Sequence, residues 1–295
     1  MTNRLFDSSL VNSFSPFDEA LNQALKANVE SALQEDIGNE DVTGLLVPDS
    51  VWVDARVTVR EQAVLCGAPW FLAVMLRCHP DMRIQWHYAE GDVMTANSTV
   101  CDIQAPARAL LTAERSALNF LQLLSGVATK TRYYVELIEG CNAAILDTRK
   151  TLPGLRLAQK YAVRVGGGQN QRLALFDGIL IKENHISAAG GITAALTAAK
   201  NLNRDVTIQI EVETIAELKE ALAAGATSVL LDNFDLYMMR EAVKMSAGKA
   251  LLEASGGIND GTVCAIAETG VDRISIGSLT KDIQATDYSL RVMSD

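Results

Sequence analysis

The chain has 295 residues, 48% of them apolar and 21% charged, with a formal net charge of −10 at neutral pH. That length buries a sizeable core, and the acidic balance excludes a nucleic-acid binder that works through bulk electrostatics. No run approaches about 18 uninterrupted apolar residues, which excludes a membrane-spanning helix.

Taken in chain order, residues 1–15 carry Asp7 and lack the basic-then-apolar order of a secretory signal, so an arm on a cytoplasmic protein is expected there. Residues 17–34 space their apolar side chains as an amphipathic helix, followed by the loop Glu35-Asp36-Ile37-Gly38-Asn39-Glu40-Asp41-Val42-Thr43. Strands are expected over 55–61, 84–89 and 99–103, with a helix over 69–77. This mixture is an α+β unit, assigned to residues 1–112 and joined by the C-terminal segment 279–295. A helix from residue 107 to about 136 leads into a second unit, 113–278. The five cysteines (Cys66, Cys78, Cys101, Cys141, Cys264) form no C-x-x-C pair. Reduced thiols are therefore expected, not a zinc site or a redox dithiol.

From about residue 140 one pattern repeats. A short apolar, β-branched run is followed at once by polar residues and then by a helical segment. The strand-end positions are 147, 182, 211, 232, 253 and 276, between 21 and 35 residues apart. Continuous apolar strands indicate a parallel sheet buried on both faces, with helices as crossovers. The regular βα repeat, without a G-x-G-x-x-G loop, fits a β/α barrel better than an open doubly wound sheet.

Barrel active sites lie just past the strand C-termini. Those positions gather the cations Arg149, Lys150, Arg172 and Lys182 and the acids Glu211 and Asp232. The stretch 147–182 carries seven basic side chains against two acids, as a focused anion site would, although a solvated helix face gives the same count. Ser255-Gly256-Gly257 and Ile276-Gly277-Ser278 each lie between a strand and a helical segment, where bare backbone N–H groups bind phosphate. A phosphate pocket, a cationic wall and a carboxylate pair suit transfer from a sugar pyrophosphate. Glu211 and Asp232 would hold the ribose hydroxyls or a Mg²⁺ ion, while Arg and Lys neutralise the leaving group. Structural pairing of both acids with their basic neighbours is the plainer alternative. His79 and His87 have no ligand set nearby, and His185 is read as a cap on the helix that it opens.

Several blocks then resemble one family: Glu35-Asp36-Ile37-Gly38 with Asp41-Val42-Thr43, Ala113-Glu114-Arg115-Ser116, Asp147-Thr148-Arg149-Lys150-Thr151-Leu152-Pro153-Gly154, Leu180-Ile181-Lys182-Glu183-Asn184-His185, Leu231-Asp232-Asn233-Phe234 and Glu253-Ala254-Ser255-Gly256-Gly257. They look like the quinolinate phosphoribosyltransferases, from about residue 30 to the C-terminus. The resemblance implies an N-terminal α/β sandwich with an incomplete TIM-like β/α barrel, and a Mg²⁺-dependent, decarboxylating transfer of phosphoribosyl from phosphoribosyl pyrophosphate to quinolinate in NAD biosynthesis. It implies Lys150, Glu211 and Asp232 as catalytic residues. It also implies substrate contacts from Thr148, Arg149, Arg172, Lys182 and the phosphate loops Ser255, Gly256, Gly257, Ile276, Gly277 and Ser278. Arg115 corresponds to an arginine inserted from the partner of a homodimer with shared active sites; a hexamer stays open.

One position departs from the pattern. Many members read Asn-His-Arg where this chain reads Asn170-Gln171-Arg172, which exchanges a charge-assisted contact for an ordinary amide one. A sister enzyme acting on nicotinate or another pyridine acid without decarboxylation is the nearest rival reading. A non-catalytic barrel that binds a phosphorylated metabolite is the second.

Overall fold

A computed structural model of the protein describes residues 18–48 and 50–293, and the arm expected at 1–15 lies outside them. Two compact units divide the chain: Met1–Lys130, Leu152–Gly166 and Asp282–Asp295 in the first, Thr131–Thr151 and Gly167–Lys281 in the second.

The first unit opens with helix α1 (Glu19–Ile37). Asp18 caps it by accepting from Leu21 N at 2.8 Å, and Gly38 ends it in the left-handed region at φ +56°. Its buried Leu21, Leu25, Val29 and Leu33 recur every fourth residue, the period that puts one stripe on the core. Strands β1 (Trp52–Val59), β3 (Arg83–Trp86), β5 (Thr99–Pro106) and β12 (Tyr288–Val292) form an antiparallel sheet in the order β12-β1-β5-β3. Ala55, Val57 and Val59 alternate inward on β1, while β2 (Ala63–Val64) and β4 (Val93–Met94) pair as a short ribbon. Helix α2 (Ala68–Cys78) buries Trp70, Phe71, Val74 and Met75.

The long helix α3 (Ala107–Leu137) is one element of 31 residues. The expected boundary at 112/113 falls inside it, and the units divide instead after Lys130. The reason is packing: Leu110, Ala113, Ala117, Leu121 and Leu124 are all buried, and Ser125 Oγ accepts from Cys66 N at 3.0 Å. Residues 152–166 likewise belong with the first unit, because helix α4 (Arg156–Val165) sets Tyr161 against Trp70, ring centroids 5.5 Å apart.

The second unit is a wholly parallel six-stranded sheet with the order β6-β11-β10-β9-β8-β7. Its strands are β6 (Ala144–Leu146), β7 (Gly178–Ile181), β8 (Thr207–Val212), β9 (Ser228–Asp232), β10 (Leu251–Ser255) and β11 (Arg273–Ser275). Helices α5 (Glu183–Ala189), α6 (Ile192–Asn201), α7 (Ile215–Ala223), α8 (Leu236–Ser246), α9 (Val263–Ala267) and α10 (Ser278–Lys281) follow the strands. Strands β6 and β7 do not pair, so the barrel is incomplete. Residues 169–172 span that gap. Gln169 bridges to Leu146 beside β6, and Arg172 Nη1 donates to Gly178 O at the start of β7, at 3.0 Å.

Candidate active site

The strand C-termini of the second unit surround a cavity of about 330 Å³. Thr148, Arg149 and Lys150 line it from beyond β6, Lys182 from beyond β7, Glu211 from β8, Asp232 from β9, Ser255 from β10, and Arg172 from the segment that spans the gap. Eight of the expected residues thus meet in one place. A larger cavity, about 620 Å³, lies in the first unit, but its charges are already paired or bonded. There Arg77 Nε meets Glu30 Oε1 at 2.8 Å, and Arg108 Nε donates to Val47 O at 2.8 Å.

Asp147 builds the cationic side of the pocket. This fully buried carboxylate accepts from Asn170 Nδ2 at 2.6 Å and from Gln171 N at 2.9 Å, which pins the 169–172 segment to the end of β6. Arg172 is thereby held close to Arg149. Burial, and then the neighbouring Arg149 charge, lower the pKa of Arg172. The buried Nε atoms of both arginines have no acceptor among the described residues. Two like charges share a partly desolvated wall, with Asp177 offsetting the repulsion at Arg172 only in part, an arrangement that an anion stabilises.

The acidic side is organised differently. Lys182 Nζ meets Glu211 Oε2 at 2.7 Å, and the Glu211 side chain is only 11% exposed. Burial raises the pKa of Asp232, and repulsion from Glu211 raises it further, while Lys182 and Lys150 pull it back. Asn233, at φ +55°, donates from Nδ2 to Asp232 Oδ2 at 3.2 Å. A Cβ on Gly256 would collide with the Asn233 amide, so the glycine is what lets that amide stand beside Asp232.

Six expected residues do not line this pocket. Arg115 is exposed on α3 in the first unit. Ile276 is buried and its N–H donates to Leu146 O at 2.9 Å, so its side chain belongs to the core. Gly256, Gly257 and Gly277 lie in the loops after β10 and β11 and Ser278 opens α10, all outside the lining.

The pocket also takes in Gln171, Leu180, Leu230, Glu253 and Ser275, for which the sequence reading named no contact role except the departure at Gln171. Strand alternation carried the signal: Leu180, Leu230 and Glu253 each stand two residues before Lys182, Asp232 and Ser255, on the same side of the sheet.

The remaining candidates are structural. His185 Nδ1 accepts from Lys182 N at 3.0 Å, as a cap on α5. His87 Nε2 meets Asp102 Oδ2 at 2.7 Å in the first unit. No group of three or more His, Cys, Asp or Glu among the described residues is placed to hold a metal ion by itself. The five cysteines are free thiols, and no described helix is long and apolar enough to cross a membrane.

Comparison with known proteins bears on what this pocket does. Residues 41–125 match the family model for the N-terminal domain of quinolinate phosphoribosyl transferase, and residues 127–291 match the model for its C-terminal domain. The nicotinate-nucleotide pyrophosphorylase (carboxylating) of Mycobacterium leprae is 38% identical over 274 residues, 90% of this chain and 96% of its own. A mitochondrial quinolinate phosphoribosyltransferase (decarboxylating) of Nicotiana tabacum is 37% identical over 290 residues, 91% of this chain and 82% of its own. The solved nicotinate-nucleotide pyrophosphorylase of Francisella tularensis has a TM-score of 0.90 at 45% identity, covering 92% of this chain and 96% of that one.

Proposed function

The chain belongs to the quinolinate phosphoribosyltransferase family, and from that membership we propose that it transfers phosphoribosyl from phosphoribosyl pyrophosphate to quinolinate. The products are nicotinate mononucleotide, pyrophosphate and CO₂, on the route to NAD. The observation that carries this reading is the Arg149–Arg172 pair, two neighbouring guanidinium groups whose buried Nε donors have no acceptor among the described residues. With Lys150 and Lys182 on the same lining, they suit a planar dicarboxylate.

The quinolinate nitrogen attacks the anomeric carbon as pyrophosphate departs. The carbon passes through an oxocarbenium-like state, and the charge that develops faces Glu211 and Asp232. Lys150 neutralises the leaving group, and Thr148 and Ser255 contribute hydroxyl contacts to it, with the Gly256-Gly257 and Gly277-Ser278 loops as further phosphate contacts. Positioning does most of the work in this transfer step, which needs no proton shuttle. The ring-2 carboxylate then leaves as CO₂: the electron pair of the broken carbon–carbon bond stays on ring carbon 2, stabilised by the adjacent positive pyridinium nitrogen, and a proton from solvent takes the place of the carboxylate.

A Mg²⁺ ion fits the acidic side. Glu211 raises the pKa of Asp232, and a cation relieves that repulsion. Two carboxylates completed by substrate phosphates are an ordinary Mg²⁺ arrangement. Bound there, the ion supplies charge neutralisation for the pyrophosphate. Arg115, exposed on α3, reaches the pocket of a partner subunit in a homodimer, and the enzyme works in the cytoplasm.

Incubation with quinolinate, phosphoribosyl pyrophosphate and Mg²⁺, with products identified by mass spectrometry, tests the proposal. Nicotinate mononucleotide is expected. Turnover of nicotinate but not quinolinate favours the sister activity, and no turnover of either favours a binding barrel.

A further inference from the structure

Gln171, Gln209 and Glu253 form a hydrogen-bonded file across the interior of the second unit. Gln171 Nε2 donates to Gln209 Oε1 at 2.8 Å, and Gln209 Nε2 donates to Glu253 Oε2 at 2.8 Å. Gln209 and Glu253 are buried, 6% and 1% exposed. Each stands two residues before a pocket residue on its own strand, Glu211 on β8 and Ser255 on β10, and so turns to the same side of the sheet. The file separates two cavities. Gln171 and Glu253 line both the pocket described above and a second space of about 390 Å³, which Gln209 also lines, among the N-terminal ends of the strands.

Three polar side chains in a barrel interior cost stability unless they satisfy one another. The direction of the file follows from its last member. Glu253 Oε2 accepts from Gln209 Nε2, which turns the Gln209 oxygen toward Gln171 Nε2 as its donor. The backbone of Gln171 is fixed as well, through Gln171 N to Asp147 Oδ1 at 2.9 Å. The amide at the pocket wall is therefore oriented from two residues away. Gln171 adjoins Arg172, on the cationic side, not the side of Glu211 and Asp232.

We propose that Gln209 and Glu253 are positioning residues that orient the Gln171 amide against the pyridine acid, so that this file governs binding of the acid and not the transfer chemistry. The inference rests on the function proposed above.

A double-mutant cycle tests it. Gln209→Leu cuts both hydrogen bonds. It is expected to raise the KM for quinolinate about tenfold, the loss of roughly one hydrogen bond, with kcat and the KM for phosphoribosyl pyrophosphate within about twofold of wild type. In a Gln171→Ala background, Gln209→Leu is expected to add nothing to the quinolinate KM. If Gln209→Leu does not fold by circular dichroism, Glu253→Gln alone and with Gln171→Ala completes the same cycle, with the same expectation of no addition. Equal multiplication of KM in both backgrounds would mean a merely structural role and overturn the inference. So would an unchanged KM, or a fall confined to kcat. Wild-type protein that leaves quinolinate untouched overturns the functional reading and the inference with it; active wild type with additive variants overturns the inference alone.

Discussion

Gly277 makes room for Lys150: a Cβ at position 277 would stand 2.9 Å from Lys150 Cδ, with Thr148 Oγ1 3.6 Å away. The glycine was read from the sequence as a bare N–H for phosphate. The structure gives it a second task, letting a lysine stem cross the loop after β11. Its φ lies outside the left-handed region, so alanine is tolerated by the backbone but displaces the lysine. Gly277→Ala is expected to lower kcat/KM roughly tenfold, as overpacking moves the ammonium off its target. Steady-state kinetics with a thermal melt checks this; an unchanged kcat/KM in a folded variant counts against the lysine's role.

The Lys182–Glu211 pair and the raised pKa of Asp232 set a pH dependence. In the proposed reaction Asp232 acts ionised, so activity is expected to fall as pH drops through its raised pKa. Glu211→Gln removes the repulsion that is one cause of the shift. The acid limb of the kcat profile is therefore expected to move to lower pH in Glu211→Gln, while the plateau falls by about two orders of magnitude from lost charge stabilisation. A pH–rate series on both proteins reads the two effects separately.

Asp147 holds the 169–172 segment at two points. Asp147→Asn keeps one acceptor oxygen, loses the charge, and leaves a buried donor poorly matched. A stability loss of about 1–3 kcal/mol is expected, together with a rise in quinolinate KM because Arg172 is no longer fixed. Urea unfolding measures the first and kinetics the second.

Glu90 in the first unit predicts a pH-dependent stability unrelated to the pocket. Burial pushes its carboxyl up to about 7 even though Gly67 N and Ala68 N donate to it at 2.8 and 3.1 Å. As pH rises, the unfolded chain gives up this proton near 4.5, whereas the folded chain keeps it until about 7. Between those values the folded state binds more protons, so stability falls as pH rises, by at most about 3 kcal/mol, and levels off above. Glu90→Gln is expected to flatten that slope in melts between pH 5 and 7.5.

The proposed homodimer with shared sites predicts that Arg115→Ala and Lys150→Ala are complementary. Mixed dimers carry one intact site, so combining the two inactive proteins at equal concentration is expected to restore about a quarter of wild-type activity, half the dimers being mixed. No recovery after subunit exchange excludes Arg115 from a partner's pocket.

The barrel was legible because each strand is a short apolar run closed by polar residues, and that punctuation is the rim of the pocket itself. Arg149, Lys150, Lys182, Glu211, Asp232 and Ser255 were found for that reason. Glu253 was taken only as a strand end, whereas the strand runs on to Ser255, and that register is what turns the buried acid to the pocket side. The division after Lys130 was hidden too: an unbroken helix gives no punctuation where its packing partner changes. Ile276 shows a different limit: a loop motif is carried over whole, and burial of one member's side chain is not visible in it. Strand β12 pairs with β1 across more than two hundred residues of sequence, and that partner choice leaves no local trace.

The central claim is decarboxylating transfer, and quinolinate labelled with carbon-13 in its ring-2 carboxylate tests it most directly. The account predicts labelled CO₂ in one-to-one ratio with pyrophosphate and nicotinate mononucleotide. Pyrophosphate released without labelled CO₂, or nicotinate consumed in place of quinolinate, would contradict it.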